Sequence, residues 1–259
     1  MTLIRKGTDF LNDLGLYGIF LYTSFYRYIF PPYTFYPVVK QIYFIGTRSL
    51  LVIVVSGTFV GMVVALQFYD TLVRFGSVGL LGSAVGLALI REMGPVITAL
   101  MVIGRAGSAI CAEISIMRND QQIDALECMA IDPYRYLIAP KLIAGILCVP
   151  LLTAIFIVVG VFGGYFVGVI LFDVSPGAYF GGMYDTVLQR DINMGLVKSF
   201  VFGLLILWIT TAKGFYLHLA MEKNETYGPE GVSRVTTDAV VLSSICILFC
   251  DFILTALIL

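Results

Sequence analysis

Residues 77–103 decide the fold and read SVGLLGSAVGLALI, then Arg91-Glu92-Met93-Gly94-Pro95, then VITALMVI. Apolar runs of this kind are typical of a membrane-spanning helix, yet here they flank two opposite charges and a helix-breaking Gly-Pro pair. An ionisable side chain at membrane depth costs roughly 2.5–3.5 kcal/mol on insertion scales, so it normally faces a partner, a cavity or a substrate route. Arg91 and Glu92 are therefore candidate functional residues, and a corner that only holds the fold is the structural alternative.

The composition extends this interpretation to the whole chain. Of its 259 residues, 59% are hydrophobic and 13% are charged, and the mean hydropathy is +0.95. An ordinary soluble domain is only roughly 45–50% apolar. The formal net charge of -1 gives no basic field for nucleic acid. We therefore expect an all-α integral membrane protein that forms a single membrane domain over residues 1–259 and binds no nucleic acid.

Sequence patterns for catalysis or metal binding are absent. The five cysteines lack metal-ligand spacing, and the single histidine, His218, has no clustered partners. There is no phosphate-binding loop and no nucleophile elbow. Asp9, Asn12 and Asp13 interrupt the apolar core that a cleavable signal peptide requires, so the N-terminus is expected to be mature. We expect a protein that is not an enzyme, binds no metal or cofactor directly, and leaves any use of ATP to another polypeptide.

Hydropathy predicts five membrane spans. A helix needs about 20 apolar residues to cross the bilayer, and runs of that kind lie at residues 49–68, 77–117, 142–172, 196–219 and 239–259. The second run is too long for one straight helix, and Pro95 predicts a bend near Gly94 because it clashes with the carbonyl of Arg91. The sequence leaves open whether this run forms two pieces or begins with a re-entrant hairpin.

The distribution of Lys and Arg predicts the orientation, because cytoplasmic connections carry the excess of both. With the N-terminus inside, the outer segments hold only Arg74 and Arg190. The inner segments then hold ten residues, which are Arg5, Lys6, Arg27, Lys40, Arg48, Arg118, Arg135, Lys141, Lys223 and Arg234. We therefore expect a cytoplasmic N-terminus and, after five crossings, a C-terminus on the far side.

Two segments outside the spans are predicted to be helices. Residues 14–37 are crowded with Tyr and Phe around Arg27, which indicates an interfacial helix that anchors the chain. Arg27 and the pair Pro31-Pro32 argue against the alternative of a sixth span. Residues 119–130 place apolar and acidic side chains on opposite faces, which predicts a short amphipathic helix on the inner side. That helix either packs on the protein's own inner surface or binds the groove of a cytosolic partner.

Further charges lie within the predicted spans. Arg105 and Glu113 are about 12 Å apart along one helix face, so each needs a partner on another helix. Lys198 and Lys213 lie near the ends of their span, and their long stems are expected to reach the membrane interface. Asp251 either neutralises a cation within the bundle or contacts a ligand. The candidate intramembrane charge network is Arg105, Glu113, Lys198 and Asp251.

The motifs around these charges resemble a known family. Residues 91–95 are followed by Gly104-Arg105-Ala106-Gly107-Ser108-Ala109, Ala112-Glu113 and Arg118, then by Gln122-Ile123-Asp124-Ala125-Leu126 and Asp132-Pro133. Together with Leu151-Leu152-Thr153 and the closing run 251–257, this combination resembles the MlaE (YrbE-type) permease family from about Gln41 onward. The resemblance implies the fold of that permease: about five transmembrane helices (residues 49–259) preceded by an N-terminal interfacial, or elbow, helix (residues 1–48).

The resemblance also implies a function and a set of partners. It implies the permease subunit of an ABC transporter in the bacterial inner membrane, which moves phospholipids between the inner and outer membranes and maintains outer-membrane lipid asymmetry. In that family the permease is a homodimer. It works with a cytosolic ATPase (MlaF-like) that binds ATP and Mg²⁺, a STAS-domain protein (MlaB-like) and a periplasmic MCE-domain hexamer (MlaD-like).

Site residues follow from the same resemblance. The lipid cavity of the family lies between the first, second and last spans, where Val64, Phe68, Leu72 and Phe75 form one apolar face and Arg91 and Glu92 meet the headgroup. A guanidinium binds phosphate well, so Arg91 is the expected phosphate partner. Residues 119–130 match the coupling helix that docks on the ATPase, and the contact residues it implies are Asp120, Ile123, Asp124, Leu126, Glu127 and Met129.

The chain departs from the family sequence at one point, and two other functions are compatible with its charges. Many family members have Thr-Glu-Gln where this chain has Asp120-Gln121-Gln122, so the contact that the usual glutamate makes is either made by Asp120 or absent.

An ion-coupled secondary transporter of an amphipathic substrate would also use Glu92, Glu113 and Asp251, although no internal repeat is evident. A structural membrane anchor for a periplasmic complex would not need the buried charges.

Overall fold

The computed structural model of the chain describes residues 15–24, 26–27, 35–217 and 228–258, and over these ranges it contains helices and turns but no β-strand. Eight helices are given numbers within these described ranges. They are α1 (residues 15–24), α2 (Phe35–Arg74), α3 (Val78–Asn119), α4 (Gln122–Cys128), α5 (Tyr134–Leu171), α6 (Pro176–Thr186), α7 (Gln189–Phe215) and α8 (Pro229–Ile258). Of the helices in the described ranges, α2, α3, α5, α7 and α8 are long and apolar enough to cross a membrane. The all-α class and the five spans are confirmed.

The long helices are interrupted by π-helical turns. In α2 the turn is Tyr43–Thr47, between α-helical Phe35–Ile42 and Arg48–Arg74. In α5, π-helical Tyr134–Ile138 and Phe166–Leu171 flank α-helical Ala139–Tyr165. α3 begins as a 3-10 turn at Val78–Leu80 and then alternates α-helix (Leu81–Ala88, Gly94–Val102, Ser108–Asn119) with π-helix (Leu89–Met93, Ile103–Gly107). Each π turn widens the helix by one residue without ending it.

The second predicted span is one continuous helix. Neither the two-piece reading nor the re-entrant hairpin describes α3, because its backbone stays helical from Val78 to Asn119. Pro95 comes just after the π turn Leu89–Met93, and the Arg91 carbonyl oxygen, which proline leaves without an N–H donor, accepts a hydrogen bond from α7.

The helix bounds differ from the predicted spans at several ends. α2 begins at Phe35, so residues 35–48 are continuous with the first predicted span in one helix. Within the segment 14–37, α1 covers residues 15–24, while residues 14, 25 and 28–34 lie outside the described residues. Arg5, Lys6, His218 and Lys223 lie outside them as well. Hydropathy locates the hydrocarbon-length part of a helix, and the helices extend beyond that part.

Glycines set the closest helix contacts. α2 packs against α5 where Gly57 and Gly61 face Phe156 and Gly160, and a Cβ added at Gly61 would overlap the carbonyl oxygen of Gly160. Lipid provides no hydrophobic drive between helices, so close backbone approach supplies the van der Waals contact instead. α4 lies at one end of the bundle and α6 at the other; these are called the α4 end and the α6 end below.

Candidate functional site

The strongest polar cluster joins α3, α7 and α8 around Lys198, whose side chain is fully buried. Its Nζ donates hydrogen bonds to Glu92 Oε2 at 2.7 Å, to Thr255 Oγ1 at 2.7 Å and to the Arg91 carbonyl oxygen at 3.0 Å. An ammonium group has three protons, and these acceptors use all of them. The prediction that Lys198 reaches the membrane interface is wrong, because its charge finds acceptors on neighbouring helices within the bundle.

The proline of the opening motif explains one of these acceptors. In a regular α-helix the N–H of residue 95 would donate to the carbonyl of residue 91, but proline has no N–H. The freed carbonyl oxygen of Arg91 instead accepts a hydrogen bond from Nζ of Lys198 on α7. Lys198 thus supplies the donor that Pro95 removes, because a buried carbonyl in a membrane protein needs a hydrogen-bond partner.

Asp251 contributes a second carboxylate to the Lys198 cluster. Its Oδ1 lies 2.8 Å from Lys198 Nζ, yet among the described atoms this oxygen accepts no hydrogen bond. The two observations agree if the ammonium protons point at the other three acceptors, and the ion pair is then an electrostatic contact without hydrogen-bond geometry. Of the two roles predicted for Asp251, the structure has the first, in which the carboxylate neutralises a cation within the bundle.

Arg91 and Glu92 have different partners on α7. Arg91 Nε donates to Asp191 Oδ1 at 2.8 Å, while Glu92 pairs with Lys198. Asp191 is buried, and its Oδ2 also accepts from the Leu188 backbone N–H at 3.0 Å, at the start of α7. Sequence reasoning missed Asp191. The available signal was the capping pattern at the start of α7, in which an acidic side chain accepts from the backbone N–H three residues before it.

The remaining predicted charges lie elsewhere, so Arg105, Glu113, Lys198 and Asp251 do not form one network. Glu113 Oε2 lies 2.7 Å from Nζ of Lys141, which is fully buried in α5. Arg105 donates to the Phe44 carbonyl and lies over the Phe44 ring of α2. The residues of α3 spread over a long helix, so their side chains meet different neighbours. Lys141, which was counted as a loop residue, was missed as a buried charge.

An open apolar cavity of about 310 Å³ has one wall residue on α3, Met93, which follows Glu92 of the Lys198 cluster in the sequence. The rest of the wall comes from α2, and the lining residues are Phe59, Val60, Val63, Val64, Gln67 and Met93. The Glu92 side chain is 41% exposed, so the cluster is not sealed inside the bundle. An apolar wall beside exposed charge matches the two parts of an amphiphile.

The structure divides the predicted apolar face of α2. Val64 lines the cavity and is also buried in the protein's own core. Phe68 and Leu72 are half-buried against that core, and Phe75 is exposed beyond the end of α2. The spacing of four, four and three follows the stripe of α2 that faces its neighbours in the bundle. Periodicity identifies such a stripe but not what lies opposite it, and Phe59, Val60 and Val63 were missed for that reason.

The predicted amphipathic helix is shorter than residues 119–130. α4 spans Gln122–Cys128, because Gln121 and Ala130 adopt positive φ values of 58° and interrupt the helix on both sides. Ile123 is buried and Leu126 half-buried, whereas the other predicted contact residues, Asp120, Asp124, Glu127 and Met129, are exposed. Asp124 pairs with Arg118 of α3 at 2.7 Å.

A five-span helical bundle that carries buried charges and has an apolar cavity open at its surface has the architecture of a membrane transport protein. The chain belongs to the MlaE permease family, because the family model described as "Permease MlaE" matches residues 38–257.

Individual relatives cover nearly the whole chain. The "Intermembrane phospholipid transport system permease protein MlaE" of Haemophilus influenzae is 40% identical over 98% of this chain and 94% of its own length. A "Probable ABC transporter permease protein" of Rickettsia prowazekii is 38% identical over 98% of this chain and 96% of its own length. The chloroplastic protein TRIGALACTOSYLDIACYLGLYCEROL 1 of Arabidopsis thaliana is 35% identical over 82% of this chain and 58% of its own length.

Proposed function

We propose that this chain is the transmembrane permease subunit of an ABC transporter that moves phospholipids between the inner and outer membranes. The observation that carries the proposal is membership of the MlaE permease family over most of the chain. A relative of nearly the same length, from Haemophilus influenzae, is named for intermembrane phospholipid transport and supports the same substrate class. Hydrolysis of ATP belongs to a separate cytosolic subunit.

The cavity and the adjacent charges support a division of roles within the site. Phe59, Val63 and Val64 contact acyl chains along the apolar wall. Arg91 and Glu92 stand at the headgroup end. Arg91 uses one edge of its guanidinium on Asp191, and because the group has five N–H donors, the others are available to a phosphate.

Orientation and partners follow from the distribution of charge and from the family. Lys and Arg concentrate at the α4 end, so this end faces the cytoplasm. The N-terminus lies on the same side, and the C-terminus lies in the periplasm. Two copies form a homodimer around the lipid cavity. The exposed residues of α4 and its flanks, Asp120, Asp124, Glu127 and Met129, dock on a MlaF-like ATPase, and MlaB-like and MlaD-like proteins complete the complex. ATP-driven closure changes the affinity of the cavity for lipid between two states.

Native mass spectrometry of the purified complex tests the proposal. We expect a stoichiometric ATPase and bound phospholipid in the wild type, and less bound phospholipid in Val63→Trp, since the larger side chain fills the cavity. Val158→Trp is the matched control, because Val158 is similarly exposed but lies on α5 and is not among the cavity-lining residues. A permease that carries no phospholipid and no ATPase contradicts the proposal, and lipid movement driven by an ion gradient without nucleotide favours a secondary transporter.

A further inference from the structure

An aromatic cluster at the α4 end joins three helices. The Phe20 ring of α1 is fully buried, and its centroid lies 5.5 Å from that of Tyr134, 5.6 Å from Phe215 and 5.7 Å from Tyr216. Tyr134 begins α5, and Phe215 ends α7. These four rings (Phe20, Tyr134, Phe215 and Tyr216) are called the aromatic cluster below. It fixes the ends of α5 and α7 to α1.

α1 is held in this position by more than the Phe20 ring. Trp208 Nε1 of α7 donates to the Tyr17 carbonyl oxygen at 2.8 Å. The Tyr17 ring meets the Tyr216 ring edge-on, with centroids 6.5 Å apart, and Lys213 Nζ lies 5.8 Å from the Tyr17 ring centroid. The contacts of α1 with α7 therefore include an aromatic core and a hydrogen bond, which a helix lying only on lipid would not need.

Two arginines connect the aromatic cluster to the two sides of α4. Arg118, in the last turn of α3, places Cζ 5.4 Å from the Phe215 ring centroid and Nη1 2.7 Å from Asp124 Oδ1 within α4. Arg27 places Cζ 5.3 Å from the Tyr134 ring centroid and Nη1 2.8 Å from Asp132 Oδ1, after α4. The planar guanidinium suits this double role, because it stacks on a ring while it pairs with a carboxylate.

α4 depends on these connections. Of its seven residues, all within the described ranges, Ile123 alone is buried. A helix this short has little stability of its own in water, so its direction is fixed by its surroundings. Those surroundings are the turns on either side of it and the two arginine links. A displacement of α4 therefore passes through Arg118 and Arg27 to the aromatic cluster.

The path continues to the candidate site along α7. The same helix that ends at Phe215 also carries Lys198 and Asp191, the partners of Glu92 and Arg91. A helix is a stiff element, so a shift of its Phe215 end moves the two α7 residues that pair with Arg91 and Glu92.

We propose that Phe20, Arg27 and Arg118 are positioning residues that transmit movement of α4 through the aromatic cluster to α5 and α7. The inference rests on the proposed function, in which a cytosolic ATPase acts on α4. The helix α1 is then part of the transmission and not only a membrane anchor.

Reconstitution of the complete complex in phospholipid vesicles measures this role as lipid moved per ATP hydrolysed. In Arg118→Ala, Arg27→Ala and Phe20→Ala we expect assembly with the ATPase and continued hydrolysis. Lipid moved per ATP falls by about threefold to tenfold, the range typical of a lost coupling contact. Arg74→Ala is the matched control, because Arg74 pairs with Asp70 on an exposed surface at the α6 end, and its ratio stays at the wild-type value.

Two variants separate transmission from folding. Arg118→Lys keeps a charge for Asp124 but loses the planar stack on Phe215, so we expect a smaller loss in the same ratio. Arg27→Lys likewise keeps a charge for Asp132 but loses the stack on Tyr134, and the same smaller loss is expected. Assembled variants that move lipid per ATP as the wild type does overturn the inference.

A readout independent of transport keeps the two proposals distinguishable. In hydrogen exchange on the detergent-solubilised complex, we expect addition of ATP to change protection in residues 189–200 of the wild type and to leave them unchanged in Arg118→Ala. The same response in the variant overturns the transmission role even if the complex moves phospholipid. A wild-type complex that moves none contradicts the proposed function and leaves this measurement to decide the inference.

Discussion

At the scale of single residues, Lys198 balances the buried charge of the candidate site. Replacing it in Lys198→Met leaves Glu92 and Asp251 facing each other without a cation and leaves the Arg91 carbonyl oxygen without its donor. Removing one partner of a fully buried ion pair costs roughly 3–5 kcal/mol. We expect a smaller loss here, because Glu92 is 41% exposed and water screens part of its charge. Thermal unfolding of the purified protein in detergent measures the loss.

Lys40→Met is the control for this change, since Lys40 is exposed at the α4 end. Its unfolding temperature should stay close to that of the wild type. The double variant Lys198→Met/Asp251→Asn removes one of the two opposing carboxylate charges and should regain part of the stability. If Lys198→Met unfolds at the wild-type temperature, the cluster does not have the energetic role assigned to it.

Tyr179 provides a second residue-scale prediction. It is buried in α6, outside the spans, and its hydroxyl donates to the Val161 carbonyl oxygen at 3.1 Å. Burial raises the pKa of the Tyr179 phenol, so the group stays protonated and remains a donor. Tyr179→Phe should lower the free energy of unfolding by about 1 kcal/mol, the usual net value of one hydrogen bond. Tyr184→Phe, in the same helix but exposed, should have no effect, and equal losses in both variants would contradict the assignment.

At this scale the sequence predicts which charged residues need partners, but it does not predict which residues those partners are. Charges at membrane depth identify Arg91, Glu92, Arg105, Glu113 and Asp251 as residues that need partners. The partners themselves are not written in any local pattern, because Arg91 meets a residue 100 positions away and Glu92 one 106 positions away. Such contacts depend on how α3 and α7 pack.

At the scale of helices, the contact between α2 and α5 depends on glycine. Gly61→Ala places a methyl group onto the Gly160 carbonyl oxygen, which is backbone and cannot rotate away, so the helices must separate. We expect a loss of about 1–3 kcal/mol, typical of an overpacked core. Gly104→Ala is the control, because nothing described lies within 4 Å of its added Cβ, and alanine is the better helix former. Chemical unfolding in detergent should separate the two variants, and equal stability would refute the packing argument.

Hydropathy predicts the five spans because the requirement for apolar length is set by the bilayer and is local in sequence. It does not predict that α2 begins at Phe35 or that α3 passes Pro95 without a break. Those outcomes depend on π turns, which shift the helix face by one residue and carry no compositional signal. The same shift changes which side of α2 and α3 meets its neighbours, and Phe68 and Leu72 of the predicted apolar stripe are partly buried against the protein's own core.

At the scale of the whole molecule, the excess of Lys and Arg at the α4 end predicts that this end faces the cytoplasm. The chain's own cysteines can test this orientation. Cys128 ends α4 and is exposed, whereas Cys111 and Cys148 are buried and Cys246 and Cys250 are half-buried in α8. If the α4 end faces the cytoplasm, a membrane-impermeant maleimide should label Cys128 in inverted inner-membrane vesicles but not in right-side-out vesicles.

The opposite end provides the matched probe for the same experiment. Asp185 is exposed on α6, so Asp185→Cys in a Cys128→Ser background should be labelled in right-side-out vesicles and protected in inverted ones. Cys128→Ser alone should be unlabelled in both, which identifies the reactive thiol. Labelling of Cys128 from the outside would place α4 in the periplasm, where no ATP-hydrolysing partner could reach it. That single outcome would contradict both the positive-inside argument and the role of α4 as the point where a cytosolic ATPase acts.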